Sequence, residues 1–143
     1  DQVFVSEAFG GAQDASAVSS YEVDEGAGLR TISPSVPTTE TAACWVVVSQ
    51  DGRFLYATNA GSGLVSGYRI HPNGTITLLN ADGVTATTGA GVSDVTISGD
   101  GRYLYALRSG AGTIVSFRVG VHGALTPLGT TALGPGANGI VAR

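Results

Sequence analysis

The sequence is poor in most of the residues from which reactive sites are built. Of its 143 residues one is cysteine, two are histidine, one is tryptophan and none is methionine, and all seven cations are arginine. A lone Cys44 excludes an internal disulfide and leaves the redox compartment open. Two separated histidines and one cysteine make no zinc cluster, and no Gly-x-Ser-x-Gly elbow or phosphate-binding loop is present. A Cys44 nucleophile would need a histidine to raise its thiolate, and none is placed for it, so Cys44 reads as a small buried hydrophobe. The net charge of −4, with its arginines scattered, argues against nucleic acid. No apolar run approaches a membrane span. No cofactor is expected. The chain starts at Asp1 without an initiator methionine, which reads as a piece of something longer or a chain with its leader removed.

What the chain does have is glycine and repetition. It holds 22 glycines and is 43% hydrophobic but only 13% charged, a globular, turn-rich composition. VVVSQDGRFLYATNAGSGLVSGYRIHPNGTITLL (46–79) is answered by VTISGDGRYLYALRSGAGTIVSFRVGVHGALTPL (95–128), 49 residues on and without a gap. A fainter copy opens the chain, with Phe4-Val5-Ser6-Glu7 matching Tyr56-Ala57-Thr58-Asn59. Four short strands in a repeat of under 50 residues is the period of a propeller blade.

The expected fold is therefore all-β, a β-propeller of about three four-stranded blades. Residues 1–43 supply strands two to four of one blade, 44–91 and 92–134 are full blades, and 135–143 is the first strand of a split one. Strands are expected at 3–6, 17–23, 28–33, 44–48, 54–58, 64–70, 75–79, 95–98, 102–107, 113–119 and 124–128, with a loop over 34–43. Cys44-Trp45-Val46-Val47-Val48 reads as an innermost strand buried on both faces. Asp51-Gly52-Arg53 and Pro72-Asn73-Gly74 read as tight turns. Asn73-Gly74-Thr75 is also a glycosylation sequon, but the turn accounts for it.

Three blades cannot close an ordinary ring. Open flanks of roughly 500 Å² would each forfeit about 12 kcal/mol as an upper figure, which rivals a domain's stability. The expected partner is thus the rest of the same propeller, giving seven blades, or a second copy, giving six.

The pattern Ser-x-Asp-Gly-Arg-Phe/Tyr-Leu-Tyr, then Gly-x-Val-Ser-x-Tyr/Phe-Arg, then Gly-x-Leu/Ile-Thr-x-Leu resembles the seven-bladed lactonase-like propellers. That family includes bacterial 6-phosphogluconolactonase and carboxy-muconate cycloisomerase. The resemblance covers the whole chain as blades, and Gly-Ala-Asn-Gly-Ile-Val-Ala-Arg is similar to a family C-terminus. It implies a lactone hydrolase in the intact protein, if that protein is active.

In such a ring the loops between strands two and three, and those leading into each strand one, crowd one mouth of the channel. Repeat alignment puts Glu7, Asn59 and Arg108 at one equivalent position there. Cys44, Ser93 and Asn138 share a second, followed by Trp45, Asp94 and Gly139. Glu7, Asn59, Arg108, Asp94, Trp45 and Asn138 are accordingly the candidate ligand-binding residues for a sugar lactone or an anionic ligand. Against that stand plain structural roles: Asn59 as a turn cap, Asp94 on backbone amides, Arg108 paired with Glu7, Trp45 as core or channel wall. Family lactonases resemble one another in a histidine where this chain has Trp45 and Asp94, and in Glu or Arg where it has Ala60 and Ser109. His71 and His122 fall at turns between strands three and four. Catalysis by this chain alone is therefore not expected, and the alternative is a non-catalytic secreted or surface binding module. A secreted or periplasmic setting is preferred to a cytoplasmic one.

Overall fold

The computed structural model describes residues 1–26, 28–134 and 136–143. Among them, three antiparallel sheets follow one another along the chain. The first holds β1 (Gln2–Glu7), β2 (Ala17–Asp24) and β3 (Gly28–Pro37). The second runs β4 (Ala43–Val48), β5 (Phe54–Asn59), β6 (Leu64–Ile70), β7 (Ile76–Leu78), with a short β8 (Ala86–Thr87) paired to the start of β6. The third is β9 (Asp94–Ile97), β10 (Tyr103–Arg108), β11 (Thr113–Val119) and β12 (Leu125–Ala132). Each sheet is a blade built from hairpins between sequence neighbours.

The core lies between blades and is read by alternation along β5. Phe54 and Tyr56 pack towards blade three with Leu104, Ala106 and Phe117, while Leu55 and Ala57 pack towards blade one with Val18, Tyr68 and Ile76. All six residues of β5 are buried. Two tyrosines tie the blades together through their hydroxyls. Tyr56 Oη donates to Gly123 O at 3.0 Å in blade three, and Tyr68 Oη to Pro37 O at 3.1 Å in blade one. Burial drives both phenols well above their usual pKa.

The repeat is reproduced bond by bond in the turns between strands one and two. Asp51 Oδ1 accepts from Ser49 Oγ at 2.6 Å and from Arg53 N at 3.1 Å, Oδ2 accepts from Arg53 Nε at 2.6 Å, and Ser49 Oγ also accepts from Phe54 N. Ser98, Asp100, Arg102 and Tyr103 repeat every one of these bonds. Gly52 and Gly101 supply the positive φ of 67° and 72° that the turn needs. Pro72-Asn73-Gly74 forms a turn too, closed by His71 N to Thr75 O at 2.9 Å.

Several expectations need correction. The strand buried on both faces is β5, not β4: Cys44, Trp45 and Val48 are exposed, because β4 hydrogen-bonds only to β5 and its other edge is free. The expected loop over 34–43 is shorter, since β3 continues to Pro37. Its two prolines are tolerated because β3 is an edge strand whose register slips opposite Val18–Tyr21. β12 likewise reaches Ala132, and β8 was not foreseen. Residues 136–143 join no ladder; instead Ile140 N donates to Asp94 Oδ2 and Ala142 N to Thr96 Oγ1, laying the tail against β9. Pro135, where the sequence reading starts the closing strand, lies outside the described residues.

Candidate functional site

Glu7, Asn59 and Arg108 are the last residues of β1, β5 and β10, the second strand of each blade. Their cross-strand partners are Ala17, Leu64 and Thr113, the first residues of the third strands. Repeat geometry therefore brings all three to the same end of their blades, together with the starts of β4 and β9. The three side chains are in different states.

Glu7 is half-buried and accepts from Ser19 Oγ at 2.5 Å through Oε1 and from Ser35 Oγ at 2.7 Å through Oε2. Asn59 is fully buried; its Nδ2 donates to Ser66 Oγ at 2.9 Å and to Leu64 O at 3.4 Å, while Oδ1 has no partner. Neighbouring Thr58 Oγ1 is unpartnered as well. Arg108 Nε donates to Ala90 O at 3.2 Å, and its guanidinium lies over Gly89, where an added Cβ would come within 3.0 Å of it. It takes part in none of the ion pairs, which join Arg30 to Glu22, Arg53 to Asp51 and Arg102 to Asp100, so no Arg108–Glu7 bridge forms among the described residues.

Asp94 is occupied by backbone: Oδ1 accepts from Val95 N at 2.7 Å and Oδ2 from Ile140 N at 3.0 Å. Trp45 is 42% exposed, so it is not core, and Asn138 is exposed on the tail. Cys44 is exposed rather than buried, with Sγ 3.2 Å from Ala42 O. A register slip between Ala43 and Trp45 causes this, since Ala43 takes the buried place and Cys44 is turned outward. His71 and His122 follow β6 and β11, away from this end. Among the described residues no group of three His, Cys, Asp or Glu could hold a metal, and no helix is long and apolar enough to cross a membrane.

The sequence reading missed residues from blade one at this same end. Phe9, Asp14, Ser35, Thr39 and Ala42 all have φ between 41° and 61° without being glycine. All five lie in the β1–β2 loop, at the end of β3 or in the lead-in to β4. Such residues cost of order 1–3 kcal/mol each and gather at ligand sites. Corresponding bends at 63, 89, 91 and 112 in the later blades use glycine. The strained segments are pinned by polar bonds: Thr38 Oγ1 donates to Ser16 O at 3.1 Å and accepts from Glu40 N at 3.0 Å, and Asp14 N donates to Thr41 Oγ1 at 3.0 Å. Glu7, Asp14, Glu40 and Asp94 thus stand at this end with Arg108 as the counter-charge. Of these carboxylates Glu40 is buried and Asp94 is taken by backbone amides, so Glu7 and Asp14 are the ones left to meet a ligand. No sequence pattern marks positive φ on a non-glycine residue, so only the coordinates disclose that cluster.

Residues 2–91 match the family model described as lactonase, 7-bladed beta-propeller. No curated protein matches the chain. Among solved structures, the chain is similar to a candidate 6-phosphogluconolactonase from Bacteroides uniformis, at 22% identity and a TM-score of 0.74, over 96% of this chain and 43% of that one. It is also similar to the periplasmic gluconolactonase of Pseudomonas aeruginosa, at 24% identity and 0.69, over 95% and 40%. A functionally unknown protein from Desulfotomaculum acetoxidans aligns at 21% identity and 0.70, over 82% and 36%. At these identities the likeness is one of fold, and the chain spans about two-fifths of the length of each.

Proposed function

Because this chain belongs to the lactonase family of seven-bladed β-propellers, we propose that it forms part of a lactonase-like ring and contributes to a small-molecule site at the channel mouth. The observation that carries this reading is the set Glu7, Asn59 and Arg108. The scaffold around the position is kept from blade to blade, while the side chain changes from carboxylate to amide to guanidinium. One structurally equivalent position thereby offers three different polar groups at the same end of the blades. The ligand class we favour is a neutral sugar lactone, whose hydroxyls would donate to Glu7, in keeping with the name of the Pseudomonas neighbour. Glu7 would accept from sugar hydroxyls through its remaining lone pairs, held in place by Ser19 and Ser35. Arg108 would polarise the lactone carbonyl, and Trp45 and Asn138 would border the ligand.

Hydrolysis also needs a base on water and a donor for the leaving alkoxide. Asp94 is spent on two amides, and the family's histidine and Glu/Arg positions hold Trp45, Asp94, Ala60 and Ser109. Those groups would come from further blades of the ring, or from a second copy closing a six-bladed one. The same departures support the second reading, a binding module without turnover.

Both are tested with glucono-δ-lactone, following hydrolysis by pH-stat and binding by saturation-transfer NMR. Binding that Glu7→Gln and Arg108→Ala each weaken about tenfold or more supports the site. Hydrolysis above the buffer rate separates the lactonase from the binding module, and binding unchanged by both substitutions would remove them from the site.

A further inference from the structure

The opposite end of the strands has the opposite charge. Arg53, Arg69, Arg102 and Arg118, four of the seven cations, stand there on blades two and three, with Asp51 and Asp100 beside them. That end of these two blades is locally positive in a chain of net charge −4. The arrangement repeats: Arg69 is cross-strand from Phe54 and Arg118 from Tyr103. Blade one has Gln2 and Glu22 as the corresponding pair, so the feature belongs to blades two and three alone.

Between the two Asp-Gly-Arg turns lies a cleft of about 350 Å³ lined by Arg53 and Arg102, by their ion-pair partners Asp51 and Asp100, and by Phe54, Val119 and Val121. The turns themselves are closed by serine, aspartate and backbone. The arginine side chains are surplus to that purpose, and ion pairs this exposed (58% and 71% at the arginines) add little stability. What the aspartates do is orient the guanidinium. Each holds Nε at 2.6 Å, and an aromatic ring fixes the plane from 5.5 Å for Arg53 over Phe54 and 5.6 Å for Arg102 over Tyr103. The Nη groups of both arginines have no hydrogen-bond partner among the described residues. An arginine anchored at Nε and open at Nη is a preorganised oxyanion fork, and two of them line one cleft.

We propose that this cleft binds an organic dianion of the phosphate monoester type, its oxygens taken by Arg53 and Arg102 and its apolar substituent lying against Phe54, Val119 and Val121. A phosphate monoester offers the two guanidinium groups three terminal oxygens and two charges where a carboxylate offers two oxygens and one charge, and the apolar lining distinguishes an ester from free phosphate. This site is separate from the channel mouth and does not rest on the lactonase reading.

The test is calorimetric titration of the 143-residue chain with phenyl phosphate in about 50 mM salt, where surface charges are little screened. Benzoate and inorganic phosphate serve as comparison ligands. Phenyl phosphate should bind more tightly than either. Arg53→Gln and Arg102→Gln should each weaken it about ten- to a hundredfold, the range of a charge-assisted hydrogen bond, with unchanged circular dichroism. Arg30→Gln, a control on blade one, should leave it unchanged. Absence of phenyl phosphate binding, or equal losses in all three variants, would overturn the proposal.

Discussion

Gly123→Ala should be among the most damaging small changes available to this chain, and the reason is separable into parts. Gly123 closes the turn before β12 at φ 82°, a conformation that costs an L-residue roughly 1–2 kcal/mol. A Cβ built there would meet Phe54 Cδ1 at 2.6 Å and Leu79 Cδ1 at 2.8 Å, and overpacking of that kind costs about 1–3 kcal/mol. Shifting the turn to relieve the clash would strain the bond from Tyr56 Oη to Gly123 O, worth a further ~1 kcal/mol. Gly52→Ala isolates the first part, because Gly52 has φ 67° and nothing within 4 Å of an added Cβ. Urea denaturation should therefore show a loss of about 1 kcal/mol for Gly52→Ala and about 3–5 kcal/mol for Gly123→Ala. Equal losses would refute the packing of blade two against blade three on which the whole architecture depends.

Acid should act through the repeated turns. Hydrogen bonds from Ser49 and Arg53 hold the Asp51 carboxyl at about 2 against an ordinary 3.8, and Ser98 and Arg102 do the same for Asp100. A carboxyl depressed on folding contributes stability above pH 3.8 that is lost as pH falls through about 2; Asp51→Asn should flatten the fall in urea midpoint across that window. The contribution is small because both aspartates are nearly half exposed. In the lead-in to β4, Ala42→Gly removes a left-handed alanine (φ 59°) and should raise stability by about 0.5–1 kcal/mol, measured by the same denaturation. If, as proposed, this end of the blades binds ligand and the strain serves it, the variant should also bind glucono-δ-lactone more weakly.

The blades were legible because their signals are local. A 49-residue repeat with Asp-Gly-Arg at the same register fixes where strands one and two meet, and alternation fixes which residues of β5 look towards which neighbour. Failures came where burial depends on what lies beyond a strand. The run Cys44–Val48 has the composition of a doubly covered strand, yet a bulge after Ala43 turns Cys44 out and the free edge leaves Trp45 exposed. Composition reports what a strand tolerates, not what covers it.

The same limit applies to the site. Aligning repeats located the end of strand two in each blade, and Glu7, Asn59 and Arg108 are where that alignment puts them. It did not tell a half-buried carboxylate bonded by two serines from a buried amide with an orphan acceptor, because the difference depends in part on neighbours that the repeat does not supply. Ser35, which bonds Glu7, lies at the irregular end of β3, and Thr38, whose carbonyl accepts from Ser66 at 3.5 Å beside Asn59, lies in the connection from β3 to β4. Nothing in the later blades resembles that connection: the corresponding stretch before β9 is built around Gly89 and Gly91. In this chain the break in the repeat, the left-handed non-glycine residues and the carboxylates of Glu7, Asp14 and Glu40 coincide on blade one, which is why repeat alignment alone does not describe that end of the molecule.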